Sequence, residues 1–232
     1  MNAYKKFAYF YDEVMQELDY YLWSEFTEEF LKPGDSILDL ACGSGTFLTI
    51  MKLHGYDTTG LDLSDTIIEI AKEKAKLNRL PIDFNVMDMT NFNLNKEFDC
   101  ITCYFDSVNF LESKKDLDKM FKCVLKHLKK GGYFLFDTFS KAMLEEYKNN
   151  LIDEDHQTFK IKWKTTEVAN KKLLHNIKIT EVDDVYSEKY YEYYYDLKDF
   201  NLEGFTLVKM VGDFNDDLEP DDERILYALR KN

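Results

Sequence analysis

Apolar and polar positions along this chain follow two rhythms. Short apolar runs at 36–40, 56–63, 82–86, 98–104 and 133–138 are separated by stretches whose apolar residues recur every three to four positions. The runs predict buried strands, and the intervening periods predict amphipathic helices at 46–53, 64–78 and 114–128. Ser64 reads as the cap of the middle helix, with Ile67, Ile68, Ala71 and Ala75 on one side. Lys129-Lys130-Gly131-Gly132 reads as the end of the third helix and the turn into the fifth strand. Two more amphipathic helices, at 4–15 and 19–31, precede the first strand. Strands that alternate with helices predict a parallel sheet with helices on both faces. Ligands of such sheets bind at the C-terminal strand ends, here near the switch between the first and fourth strands.

The rhythm changes after residue 141. A short helix at 142–149 gives way to period-two alternation at 159–168, 173–182 and 185–195, with tight turns at Ala169-Asn170-Lys171 and Asp183-Asp184. No crossover helix separates these strands, so they predict a small antiparallel sheet spanning 150–198, inserted after the fifth strand of a single 1–232 domain. An exposed extension or a dimer contact is the alternative reading. In the tract 190–195, alternation puts Tyr191, Tyr193 and Tyr195 on one face and Tyr190, Glu192 and Tyr194 on the other.

The strand tips carry the candidate chemistry. The first strand runs into Ala41-Cys42-Gly43-Ser44-Gly45, where two glycines allow a tight bend against a ligand. Leu48 stands where a pyrophosphate loop would place its third glycine, so the loop suits a nucleoside without phosphates. Asp39, near the strand end, can orient the loop or accept from a cationic ligand. Asp62 ends the second strand, where a carboxylate takes both ribose hydroxyls. Asp88 ends the third, placed to accept an adenine amino group while Met89 or Ile67 covers a ring face.

These motifs, with FDCITCYFDSVNFL after the fourth strand and GGYFLFDT as the fifth, resemble the class I S-adenosylmethionine-dependent methyltransferases over nearly the whole chain. The opening YKKFAYFYDEVM and the closing ERILYALRK are similar to a bacterial branch acting on small molecules such as glycine or sugar amines. The resemblance implies a Rossmann-like α/β fold with a seven-stranded, mostly parallel sheet and an antiparallel lid over the acceptor. It implies S-adenosylmethionine as cofactor and methyl transfer to a nitrogen or oxygen of a small molecule. Cofactor contacts would be Tyr11, Trp23, Ala41, Gly43, Gly45, Asp62, Leu63, Ile67, Asp88, Met89 and Phe105. Any base for the acceptor would come from Asp106, Ser107, Asn109, Tyr4 or Tyr11, and Asp106, Asn109 and Tyr11 are the catalytic candidates. The plain alternatives are capping for Asp106 and core packing for Tyr4, Tyr11, Tyr20 and Trp23. Two departures stand out: Phe110 occupies a position where sugar N-methyltransferases often have histidine, and the segment 196–204 is too short for the helix that usually precedes the sixth strand.

Charge and cysteines narrow the picture. A net charge of −14 disfavours a nucleic-acid substrate, which calls for clustered Lys and Arg. No apolar run approaches a membrane span and the N-terminus has no signal-peptide pattern, so the expected location is the cytoplasm, as monomer or homodimer. Cys100 and Cys103 form C-x-x-C, but within a strand residues three apart face opposite ways, so buried thiols and no metal are expected. The competing functions are an RNA or protein methyltransferase, a nicotinamide-dependent oxidoreductase, and a non-catalytic module that binds the same cofactor.

Overall fold

The computed structural model describes residues 6–215 and 217–232. Tyr4 lies outside the described residues. The core begins with β1 (Ser36–Leu40), α3 (Thr46–Leu53), β2 (Asp57–Asp62), α4 (Asp65–Leu77), β3 (Asp83–Val86) and β4 (Phe98–Cys103). It continues through α5 (Lys114–His127), β5 (Leu128–Phe139) and α6 (Lys141–Tyr147), and closes with β10 (Phe205–Gly212) and β11 (Arg224–Lys231). Seven strands form one sheet in the order β10-β11-β5-β4-β1-β2-β3. The five strands from β1 to β5 pair in parallel, and β11 and β10 add antiparallel at one edge.

Alternation within the buried strands divides the core in two. Leu38, Ile101, Phe134 and Phe136 face one side, where Leu117, Phe121 and Val124 of α5 cover them. Ile37, Cys100 and Leu135 face the other, against Phe47 and Met51 of α3, Ile68 and Ala71 of α4, and Phe26 of α2 (Tyr20–Glu28). The central strands β1 and β4 are therefore sealed from water on both sides, as parallel strands with helical crossovers require. Cys100 and Cys103 fall in these opposite cores as free thiols. The capping chemistry is local: Ser64 Oγ accepts from the Ile67 N–H, and Ser113 and Ser140 do the same for α5 and α6.

The second sheet has four strands in the order β6-β7-β8-β9: β6 (Leu151–Asp155), β7 (Lys160–Ala169), β8 (Lys172–Thr180) and β9 (Val185–Tyr193). The patterning anticipates three of them. It passes over β6, whose LIDED sequence has little strand character. β6 is held as an edge strand by pairing with β7 and by cross-strand ion pairs, Lys162 to Asp153 at 2.8 Å and Lys160 to Asp155 at 2.7 Å. Lys129 to Gly132, expected as a turn, is instead the start of β5, where a register shift against β4 between Phe98 and Cys100 absorbs the irregularity. Alternation through the tyrosine tract stops at Tyr193, where β9 ends, and Tyr195 turns back so that its hydroxyl donates to the Leu111 carbonyl. The segment before β10 holds a single 3-10 turn, Leu197–Asp199.

The helix expected at 4–15 is replaced, within the described residues, by a 3-10 turn, Phe7–Tyr9, and one helical turn, α1 (Tyr11–Val14). The reason is tertiary. Glu188 of β9 accepts the Lys6 and Phe7 N–H groups at 2.6 and 3.1 Å, and Phe7 is buried against Ile161, Ile177 and Tyr190 of the second sheet.

Candidate active site

A cavity of about 520 Å³ opens at the C-terminal ends of β1, β2, β3 and β4 and continues under the second sheet. Ala41 and Gly43 form one wall, in the left-handed region at φ 54° each; only glycine takes that conformation without strain. Asp62 ties this loop to the next strand: its Oδ2 accepts the Gly43 N–H at 3.1 Å and its Oδ1 accepts the Ser64 N–H at 2.9 Å. Burial raises the Asp62 carboxyl above the usual range, opposed by these backbone donors. Leu63 and Ile67 lie beside it on the lining, followed by Asp88 and Met89 from the end of β3. Asp88 Oδ1 is engaged by the Thr90 N–H and hydroxyl, both at 2.7 Å.

Tyr11 closes over the loop: a Cβ built on Gly43 would lie 3.9 Å from its ring. Burial, then Tyr20 and the carboxylates of Asp106, Asp62 and Asp12, push its phenol well above its ordinary value. A phenol so held stays protonated and offers cover and an O–H rather than a base. The turn carrying it is anchored by Asp12, which accepts from Ser44 Oγ at 2.5 Å and from Lys74 Nζ at 2.7 Å. Lys74 also reaches Ser44 and Thr46, so α1, the glycine loop and α4 meet at one ammonium.

Three expected residues lie off the cavity lining. Gly45, at φ 76°, is buried where a Cβ would meet the Phe84 ring at 2.7 Å, so it allows α3 to pack on β3. Trp23 donates its indole N–H to Asp137 Oδ2 at 2.7 Å and packs on Phe105 at 4.4 Å, supporting a ring that does line the cavity. Asn109 is buried and donates Nδ2 to the Tyr193 carbonyl at 2.8 Å, clamping the loop after β4 to β9. Asp106 is at the lining in the left-handed region, φ 50°. Its N–H donates to Asp137 Oδ1 at 2.8 Å, and its Oδ2 sits 3.4 Å from Arg224 Nη2. Burial raises its carboxyl to about 7, with Arg224 pulling the other way. Among the described residues no group of three or more His, Cys, Asp and Glu side chains is arranged to hold a metal.

Arg224, Trp163, His175 and Glu192 also line the cavity, and period-two reading gave them no role. A histidine interrupting the apolar alternation of Leu173, Ile177 and Ile179, and a glutamate among tyrosines, were the available signals.

Behind the loop, off the lining, Asp39 is buried and accepts from Thr102 Oγ1 at 2.6 Å. Burial above all, with Asp62 and Asp137 adding to it, raises its carboxyl to about 8, and the Thr102 bond opposes. In the unfolded chain it ionises near pH 4. The stability it allows is thus full below about pH 4 and lost as pH rises from there to about 8. Asp39→Asn, which can still accept from Thr102, should lose less melting temperature than wild type between pH 5 and 8, by about 2–4 °C per kcal/mol relieved. A difference between the two proteins that is independent of pH would contradict this.

The methyltransferase domain family matches residues 37–132. A Geobacillus sp. protein named a putative methyltransferase is 27% identical over 99% of this chain and 100% of its own length. A solved S-adenosylmethionine-dependent methyltransferase from Clostridium acetobutylicum is 28% identical with a TM-score of 0.85, covering 100% of both chains. The S-adenosylmethionine-bound amino pentose methyltransferase of Micromonospora echinaspora shares the fold, with a TM-score of 0.72 at 16% identity over 100% of this chain and 99% of that one. With the strand order and the acidic tips after a two-glycine loop, these likenesses support a class I S-adenosylmethionine-dependent methyltransferase.

Proposed function

We propose that the enzyme methylates a nitrogen or oxygen of a small molecule held between the strand tips and the second sheet, which acts as a lid. The observation that carries this reading is the single cavity that joins Asp62 and Asp88 at one end to Trp163 and Tyr190 at the other. Its walls favour a compact guest. Polynucleotide binding calls for basic side chains that track phosphates, whereas this lining holds Asp106, Glu112, Asp116, Glu154 and Glu192 against one arginine. An amino pentose methyltransferase among the proteins of this fold agrees with such an acceptor.

The donor set suits the cofactor. Asp62 would present a carboxylate to the ribose hydroxyls, Asp88 and Met89 would border the adenine, and Leu63 and Ile67 would give it apolar cover. Gly43 and Ala41 would leave room for the amino-acid end and Tyr11 and Phe105 would close over it, while Gly45 and Trp23 hold those walls from behind. S-adenosylmethionine, when bound, supplies a sulfonium-activated methyl group. The protein's share of the work is to hold the acceptor in line and exclude water, worth several kcal/mol of the barrier. Asp106, whose carboxyl is raised to about 7, is suited to take a proton near neutral pH. Asn109 keeps its loop in place.

Calorimetry should show binding of S-adenosylhomocysteine at about micromolar Kd and none of NAD, and labelled methyl from S-adenosylmethionine should enter small molecules of a metabolite extract. NAD binding without S-adenosylhomocysteine binding, or label entering only RNA or protein, would refute the proposal.

A further inference from the structure

The inner face of the second sheet carries a polar pair that the cofactor reading leaves unused. On β8, His175 sits in line with Leu173, Ile177 and Ile179, facing inward. Its register partner on β7 is Thr165, and its partner on β9 is Tyr190, whose ring stacks on the imidazole at 4.9 Å. Glu192 follows two residues on, on the same face. His175 is 2% and Glu192 5% exposed, and both line the cavity.

The imidazole's proton is placed by its neighbours. Trp163 donates its indole N–H to His175 Nδ1 at 3.0 Å, so Nδ1 presents a lone pair and the proton sits on Nε2. That Nε2 lies 3.0 Å from Glu192 Oε2 but is not aligned for a hydrogen bond. Among the described residues no other donor reaches the Glu192 carboxylate. Buried carboxylates are ordinarily paired and hydrogen-bonded. Asp106 obeys the rule, since Arg224 faces it, and the same guanidinium is also engaged by Asp137 at 3.0 Å. Glu192 and His175 have kept their hydrogen-bonding capacity for something that enters the cavity.

We propose that Glu192, beside His175, receives the protonated amino group of the acceptor, so that the substrate class is an aliphatic amine and not an alcohol or phenol. This rests on the methyl-transfer reading above. The surroundings suit an ammonium: the Trp163 and Tyr190 rings flank the pair, and Phe110 stacks on Tyr190 at 5.3 Å. Burial disfavours both charges of an ammonium–carboxylate pair, and moving one proton removes both. The proton passes from nitrogen to a Glu192 oxygen and leaves to solvent with the product. The freed nitrogen lone pair forms the new N–C bond as the S–CH3 bond breaks, its electron pair remaining on sulfur.

The test is calorimetry on the full chain saturated with S-adenosylhomocysteine, comparing benzylamine with benzyl alcohol and 2-amino-2-deoxyglucose with glucose. In at least one pair the amine should bind ten times tighter than its hydroxyl counterpart, or better. Glu192→Gln, which keeps the shape, should lose at least tenfold in amine affinity and hold S-adenosylhomocysteine within twofold of wild type. His175→Leu should weaken the amine and leave the alcohol unchanged, a split that a purely structural role would not produce. Equal affinity within both pairs, or binding of none of the four, overturns the proposal, and this wild-type comparison needs no variant to fold. Full amine affinity in Glu192→Gln overturns it as well. Wild-type protein that fails to bind S-adenosylhomocysteine would instead overturn the cofactor reading on which the proposal rests.

Discussion

Asp62→Ala is expected to weaken S-adenosylhomocysteine binding by roughly a hundredfold or more. Hydrogen bonds to a charged group contribute about 1.5–3 kcal/mol each, and two ribose hydroxyls would lose theirs. The substitution also frees the Gly43 and Ser64 N–H groups that Asp62 accepts at 3.1 and 2.9 Å, so the glycine loop loses its tether to β2. Asp62→Asn keeps an acceptor for Gly43 but no charge, and should fall between the two. Because burial raises the Asp62 carboxyl and only its ionised form accepts two hydroxyl protons, affinity in the wild type should fall as pH drops through that raised value. Calorimetry across pH, with circular dichroism to confirm the fold, checks both points. Binding within twofold of wild type would show that Asp62 is not the ribose acceptor.

Arg224→Met should destabilise the fold by about 3–5 kcal/mol, the usual cost of leaving buried charge without its partner. The guanidinium lies 3.0 Å from Asp137, which is 0% exposed, and 3.4 Å from Asp106, and it rests over the Trp23 ring at 5.3 Å. At about 2–4 °C per kcal/mol, scanning calorimetry should register a drop of roughly 6–20 °C. The Asp106 carboxyl, now at about 7, should rise further without the cation that lowers it. Adding Asp106→Asn to Arg224→Met removes one of the two orphaned carboxylates and should recover part of the loss. A drop under about 2 °C would mean that Arg224 is not the counter-charge of this cluster.

Much of the fold is legible because its cause is local. Ser64, the left-handed glycines at 43 and 45 and the apolar strand at 36–40 act within a few residues of themselves, and they set α4, the loop and β1 where the pattern expects them. The opposed burial of Cys100 and Cys103 follows from strand geometry alone. The misreadings share another cause. YKKFAYFYDEVM has helical periodicity, yet a carboxylate 181 residues away takes the Phe7 N–H and breaks the run into two short turns. LIDED has too much charge for a strand by propensity, yet β7 supplies the ladder and lysines opposite its aspartates.

The sequence by itself determined the order of motifs: a two-glycine bend, then Asp62, then Asp88, at the ends of three successive strands. Parallel strands joined by helical crossovers have little choice but to bring those tips to one rim. Period two likewise put Tyr190, Glu192 and Tyr194 on one face and Tyr191, Tyr193 and Tyr195 on the other. Which surfaces those faces would meet was decided only by the tertiary structure. It set Glu192 and His175 on the lining across from Asp62 and Asp88, Arg224 beside Asp106, Phe110 against Tyr190 and Phe7 under the second sheet. Burial of apolar area is non-directional, so alternation specifies that a face will be covered but not by what. The partner is chosen where shape, unpaired donors and opposite charge agree, among residues that lie 84 to 181 positions apart in the chain.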